Sequence, residues 1–222
     1  MLSDAQGNHE SWFGRGRERV ELEGVRVFLG ADDGVLAFPR DDADLSGAVR
    51  LARDAGAREV GCWALTPDVA LGERLHHFGF QDGWQPHWMR IDPRAQHESP
   101  AHSVEHTAEC DRELPYASLH HERVLGGDVH HFIIRGGARA FGHAVLNVAG
   151  GSGGIYDMGV APGARRQGYG RALTLAALDW ARAEGCTSVT LNATHEGEAL
   201  YRNVGFSSLG LGMTWWLFPG RE

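Results

Sequence analysis

Two α/β halves, each a mixed sheet with helices on its faces, are what this sequence of 222 residues predicts. Three observations carry that reading. Ala52-Arg53-Asp54-Ala55-Gly56 resembles Ala181-Arg182-Ala183-Glu184-Gly185, and each is followed by a β-rich run, Glu59 to Trp63 and Ser188 to Leu191. Both halves then stop a second helix in the same way, at His77-Phe78-Gly79-Phe80 and at Asn203-Val204-Gly205-Phe206. There glycine takes the left-handed cap and the aromatic returns to the core. Both end in aromatic strands, Trp84 to Ile91 and Met213 to Phe218. Helix, glycine, strand is common grammar, but four matches in one order predict a duplicated unit.

The expected domains are 1–92 and 104–222. A polar linker, 93–103, follows Asp92 and contains Pro93, Arg94, Glu98 and Pro100. In the first half, Thr66-Pro67-Asp68 predicts a helix start, with a capping hydroxyl, a proline at the first helical position and an acid in the first turn. In the second half one short helix, about Asp111 to Arg123, comes first. Val129 to Arg135 and Ala138 to Val148 then read as a hairpin around Gly136-Gly137. Gly151-Ser152-Gly153-Gly154 reads as a flexible turn, and Ile155 to Val160 as a third strand. From Leu173, apolar residues recur at Ala176, Ala177, Trp180 and Ala181, the stripe of an amphipathic helix ending near Gly185. Thr194, followed by Glu196 and Glu198, suits the positive end of one more helix.

Composition bounds the function. The formal net charge is −8, and the chain has no lysine, so its cations are arginines. Such acidity disfavours nucleic acid as a partner. Cys62, Cys110 and Cys186 have no paired spacing, which argues against a disulfide framework or zinc knuckle and fits a reducing, cytoplasmic setting. No leader or long apolar run is readable, so neither secretion nor a membrane is expected. His76-His77, His120-His121 and His130-His131 are adjacent pairs whose side chains diverge, and no metal site is expected from them.

The sharpest signal is Val160-Ala161-Pro162-Gly163-Ala164-Arg165-Arg166-Gln167-Gly168-Tyr169-Gly170-Arg171, which joins a strand to a helix. Unpaired amides at that helix start, with glycine in place of bulk, can wrap a pyrophosphate while the helix dipole and arginines supply positive potential. A tight turn in which glycine serves only the backbone is the plainer alternative. A triphosphate P-loop would need Gly-Lys-Ser/Thr, and a dinucleotide fingerprint a third glycine and a later acid; neither is present.

Val160-x-Pro162 followed by Arg165-x-x-Gly168-x-Gly170 resembles the acetyl-CoA signature of the GNAT superfamily. Asn192 and Ala199-Leu200-Tyr201-Arg202-Asn203-Val204-Gly205-Phe206 resemble its second motif. The resemblance covers about Ala101 to Phe218 and implies a mostly antiparallel GNAT-like sheet and transfer of an acetyl group from acetyl-CoA to an amine, with a small molecule as the expected acceptor. It implies that main-chain groups of Met158, Gly159 and Val160 pair with the pantetheine arm and that Arg165, Arg166, Gln167, Gly168, Tyr169, Gly170 and Arg171 hold the diphosphate. Asn192 would also serve the cofactor, and Tyr201 would protonate the departing thiolate. An amine must lose a proton before attacking, and Asp157 and His143 are the candidate bases. A non-catalytic acyl-CoA sensor or scaffold is the competing class.

An offset of 129 residues lays the phosphate loop on the first half, where Gly168 falls on Pro39 and Gly170 on Asp41. Tyr201, counted back from Gly205, corresponds to Leu75. Proline offers no amide hydrogen, and Asp41, Asp42 and Asp44 would repel a diphosphate. The first half therefore reads as a degenerate copy without cofactor, in tandem with a working one; an unrelated α/β module over residues 1–92 is the plainer alternative.

Overall fold

The computed structural model describes residues 2–95, 98–107 and 127–219. The helix expected over Asp111 to Arg123 lies outside them, as do Cys110 and His120-His121. The elements run α1 (Leu2–Phe13), β1 (Glu18–Leu22), β2 (Val25–Leu29), β3 (Asp33–Ala37), α2 (Leu45–Asp54), β4 (Glu59–Ala64), α3 (Val69–His76), β5 (Gln81–Asp82), β6 (His87–Ile91) and β7 (Glu105–Thr107). They continue with β8 (Val129–Gly136), β9 (Arg139–Ala149), β10 (Ser152–Val160), a 3-10 turn at Pro162–Ala164, α4 (Tyr169–Ala183), β11 (Ser188–Ala193), α5 (Glu198–Val204), β12 (Ser207–Leu211) and β13 (Met213–Leu217).

The chain forms two compact units. One, the loop unit, comprises Met1–His9 and Trp88–Leu209; the other, the companion unit, comprises Glu10–His87 and Gly210–Glu222. The loop unit is built on a seven-stranded sheet ordered β12-β6-β11-β10-β9-β8-β7. β8 and β9 make the expected antiparallel hairpin, turning at Gly137 with φ 64°. β9 and β10 are antiparallel, and β10 and β11 are parallel, crossing over through α4. Of the stripe read on α4, Leu173, Ala177 and Ala181 are buried and Ala176 and Trp180 only partly so; Leu175 and Leu178, outside that stripe, are buried as well, in one core with Phe132, Ile134, Leu146 and Leu191. Each buried leucine contributes about 1.5–3 kcal/mol.

The companion unit has a six-stranded sheet ordered β1-β2-β3-β4-β13-β5. Here too two antiparallel pairs precede a parallel one, β3 with β4, bridged by α2. Its core gathers Val27, Leu36, Val49, Leu71, Leu75 and Trp215.

The boundary expected at residue 92 does not separate these units. β6, read as the last strand of the first half, lies in the loop-unit sheet between β11 and β12, where Met89 and Ile91 are buried. β13, read as the last strand of the second half, lies in the companion sheet between β4 and β5, antiparallel to both. Aromatic and branched residues specify a strand but not its partner. The segment read as a linker, so far as it is described, belongs to the loop unit.

Two local readings also change, and one element is new. Asp68, not Thr66, caps α3, its carboxylate accepting from the Leu71 amide at 2.9 Å. The flexible turn is confined to Gly150 and Gly151, both at positive φ, because Ser152 to Gly154 already run in β10. Helix α1 had no sequence expectation: its packing face carries the buried polar residues Asn8 and His9. Both glycine helix stops form as read, with Gly79 at φ 90° and Gly205 at φ 112°, and Phe80 and Phe206 buried behind them.

Candidate active site

β10 and β11 pair only from Ser152↔Ser188 to Ile155↔Leu191. Beyond that point β10 runs five residues further and β11 two, so the strands part toward their C-terminal ends. The cause lies in β10. Its register with β9 slips between Tyr156 and Gly159, and Asp157 adopts φ 46°, a left-handed conformation unusual for a residue with a side chain. Strain of this kind persists where the surroundings over-determine it, and it clusters at functional sites. Asp157, Met158, Gly159 and Val160 are all partly exposed on the parted edge. Asn192 follows the last paired residue of β11 and is half-buried.

The glycine segment leaves β10 through the 3-10 turn, passes Arg166 at φ 60° and reaches Gly168 at φ 85°, the N-cap of α4. That value explains Gly168, since a side chain there would be strained. Gly168 has no side chain to cap the helix, so the first amides of α4 keep their hydrogens for something outside it. Gly170 serves another purpose. A Cβ there would lie 3.0 Å from Leu200 Cδ2, so the glycine lets α4 approach α5 closely. Arg165, Arg166 and Gln167 are exposed, and Arg171 is partly so. The Arg165 Nε donates to the Val160 carbonyl at 3.3 Å, and Arg171 pairs with Glu98 at 3.1 Å.

Tyr201 enters from α5, which the Gly170–Leu200 contact sets in place. Its hydroxyl lies 3.3 Å from the Met158 sulfur, and its ring meets Phe206 edge-on with centroids 5.7 Å apart. Only 8% of Tyr201 is exposed, and this burial pushes its pKa up to about 12. The group therefore stays protonated at any ordinary pH, the state that a proton donor needs.

The structure thus brings Tyr201, Met158, the bulged segment from Asp157 to Val160 and the α4 N-terminus into one region of the loop unit. His143 is placed differently. It pairs in register with Gly159 across β9 and β10, but it is fully buried, with its Nε2 3.2 Å from His131 Nδ1. Two neighbours escaped sequence reasoning. Thr174 donates to the Gly170 carbonyl at 2.8 Å, inside the helix. His102 reaches the Gln167 carbonyl across 65 residues, a separation at which no periodicity or spacing rule gives a signal.

The family model for the acetyltransferase (GNAT) family matches residues 87–206, from β6 through Phe206. The chain belongs to that family. In this GNAT chain the match spans the parted strands, the glycine loop and Tyr201. Among curated relatives, the mycothiol acetyltransferase of Beutenbergia cavernae is 32% identical over 190 residues, covering 76% of this chain and 62% of the relative, so the chain spans less than two thirds of that protein's length. A GCN5-related N-acetyltransferase from Kribbella flavida shares the fold with a TM-score of 0.75, at 19% identity over 99% of this chain and 96% of that one. A tandem GNAT protein from the clavulanic acid biosynthesis pathway does so with a TM-score of 0.57, at 14% identity over 89% and 79%.

Proposed function

We propose that the loop unit transfers the acetyl group of acetyl-CoA to the amine of a small molecule. The observation that carries the reading is the parting of β10 and β11 after Ile155↔Leu191 directly beside an α4 N-terminus that no side chain among the described residues caps. The parted edge leaves main-chain groups of Met158, Gly159 and Val160 to pair with a pantetheine arm, as an added strand would. Arg165, Arg166, Gln167, Gly168, Tyr169 and Arg171 surround the α4 start with amides and positive charge for the diphosphate. Gly170 supports them through its contact with Leu200. Asn192 stands at the mouth on the β11 side. Tyr201 donates its proton to the thiolate as the acetyl group leaves. Asp157, partly exposed on the bulge, takes the amine's proton, directly or through water; buried His143 is the less accessible of the two bases. The relative's name, mycothiol acetyltransferase, supports a small-molecule acceptor.

In this reading the companion unit is a degenerate tandem copy that holds no cofactor. Its helix α2 starts with Asp44, whose carboxylate accepts from the Gly47 amide at 2.8 Å and fills the place an anion would take. Arg74 donates to the carbonyls of Asp41 and Ala43 at 2.7 and 2.6 Å, so this loop turns carbonyls toward a cation instead of amides toward an anion. The matching strand order of the two sheets supports the duplication. The buried thiols of Cys62 and Cys186 suit a reducing cytoplasm.

The deciding experiment measures thiol release from acetyl-CoA with a panel of small amines, alongside binding of CoA alone. Amine-dependent release supports the enzyme. Binding without release from any amine would favour a sensor or scaffold, and absence of both would remove the acyl-CoA reading.

A further inference from the structure

We infer that His102 is a positioning residue for the cofactor turn, an assignment that rests on the acetyl-CoA reading of the same loop. His102 lies in the segment leading to β7, far in sequence from the glycine motif, yet two contacts and one close approach converge on it. Its Nε2 is 2.8 Å from the Gln167 carbonyl oxygen. A carbonyl can only accept, so Nε2 carries the hydrogen and donates it. The imidazole also lies against Tyr169, with ring centroids 4.6 Å apart. A Cβ built on Gly168 would stand 3.2 Å from the same Nε2. The imidazole thus covers the turn at the residue before Gly168, at Gly168 itself and at the residue after it.

The consequence follows from peptide geometry. In a trans peptide the carbonyl and the next N–H point in opposite directions. Holding the Gln167 carbonyl toward His102 sends the Gly168 N–H to the other side of the turn, available to an anion. Without that hold the peptide between Gln167 and Gly168 is free to rotate, because glycine tolerates either sign of φ. The segment is anchored on both sides of His102: Glu98 pairs with Arg171 at 3.1 Å, and Val104 packs against the loop-unit core. His102 therefore organises the amides for the cofactor and has no contact with the reacting atoms in this assignment.

The test uses the full chain with His102→Ala and His102→Gln. Calorimetry reads the CoA Kd, thiol release reads kcat and KM, and thermal melting reads the fold. His102→Ala should weaken CoA binding about five- to ten-fold, the loss of one organising hydrogen bond, and raise the KM for acetyl-CoA with kcat and melting temperature nearly unchanged. His102→Gln, whose side-chain amide can donate to the same carbonyl, should recover most of the affinity. An unchanged Kd in His102→Ala, or equal losses in both variants accompanied by a lower melting temperature, would overturn the assignment while leaving the acetyl-CoA reading in place. Failure of the unaltered chain to bind CoA would overturn that reading, and the role of His102 with it.

Discussion

At the scale of single residues, burial decides what each titratable group does. Tyr201 stays protonated because it is buried, its ring against Phe206 and its hydroxyl against Met158, and in the proposed reaction removing the hydroxyl should remove only the proton donation. Tyr201→Phe should therefore keep CoA affinity and lower turnover by about 100-fold or more, read by thiol release at saturating amine. Unchanged turnover would assign the proton to another group. His9 shows burial acting the other way. Desolvation lowers its pKa from 6.5 to about 3. Between those values the unfolded chain binds a proton that the folded chain refuses, so the contribution of His9 is complete above pH 6.5 and is lost as the pH falls toward 3. Stability should therefore fall as the pH drops through that window and this residue takes up its proton. Denaturant melts of His9→Gln against the unaltered chain should show the shallower acid slope in the variant. Beside it, Asn8 is a buried amide with all its groups engaged. Its nitrogen donates to the carbonyls of Asn147 and Ser152, and its oxygen accepts from Tyr156 and Asn147. That polar satisfaction is why α1 docks through a face with little apolar pattern.

At the scale of elements, α2 and α4 make the instructive pair. Both join a sheet strand to the strand parallel to it, and both present an N-terminus at the same place in the topology. One is capped by Asp44 and the other is left open at Gly168. Gly168→Asp would place a carboxylate where the diphosphate is proposed to bind, on a residue that needs φ 85°. Calorimetry should show CoA binding abolished; undiminished affinity would move the site elsewhere. The helix stops at Gly79 and Gly205, the Gly137 hairpin and the span of α4 were legible because each is set by neighbours within a few residues. Asp68 displaced Thr66 as a cap because both are good caps and the three-dimensional path of the chain chose between them.

For the molecule as a whole, the placement of β6 and β13 governs what can be separated. A fragment of residues 104–222 lacks β6, the strand between β11 and β12, and carries β13, which belongs beside β4. It should fail to give a soluble cooperative fold, judged by far-ultraviolet dichroism and thermal melting. A stable fragment would show that the loop sheet can close without β6. The intact chain should bind one CoA, since the companion unit has its helix start filled by Asp44 and its loop held by Arg74; a stoichiometry of two by titration would mean that the companion loop is competent.

The sequence by itself determined the α/β class, most element positions, the glycine turn and the two motifs that resemble the family, because each rests on residues close together in the chain. Only the tertiary structure decided that the last strand of each half completes the other half's sheet, that α1 docks through Asn8 and His9, that Gly170 serves the approach of Leu200, and that His102 covers the glycine turn. The physical reason is common to all four. Local propensity fixes the conformation of a segment, whereas its partner is chosen by packing and hydrogen bonding among residues far apart in sequence, which leave no period or spacing to read.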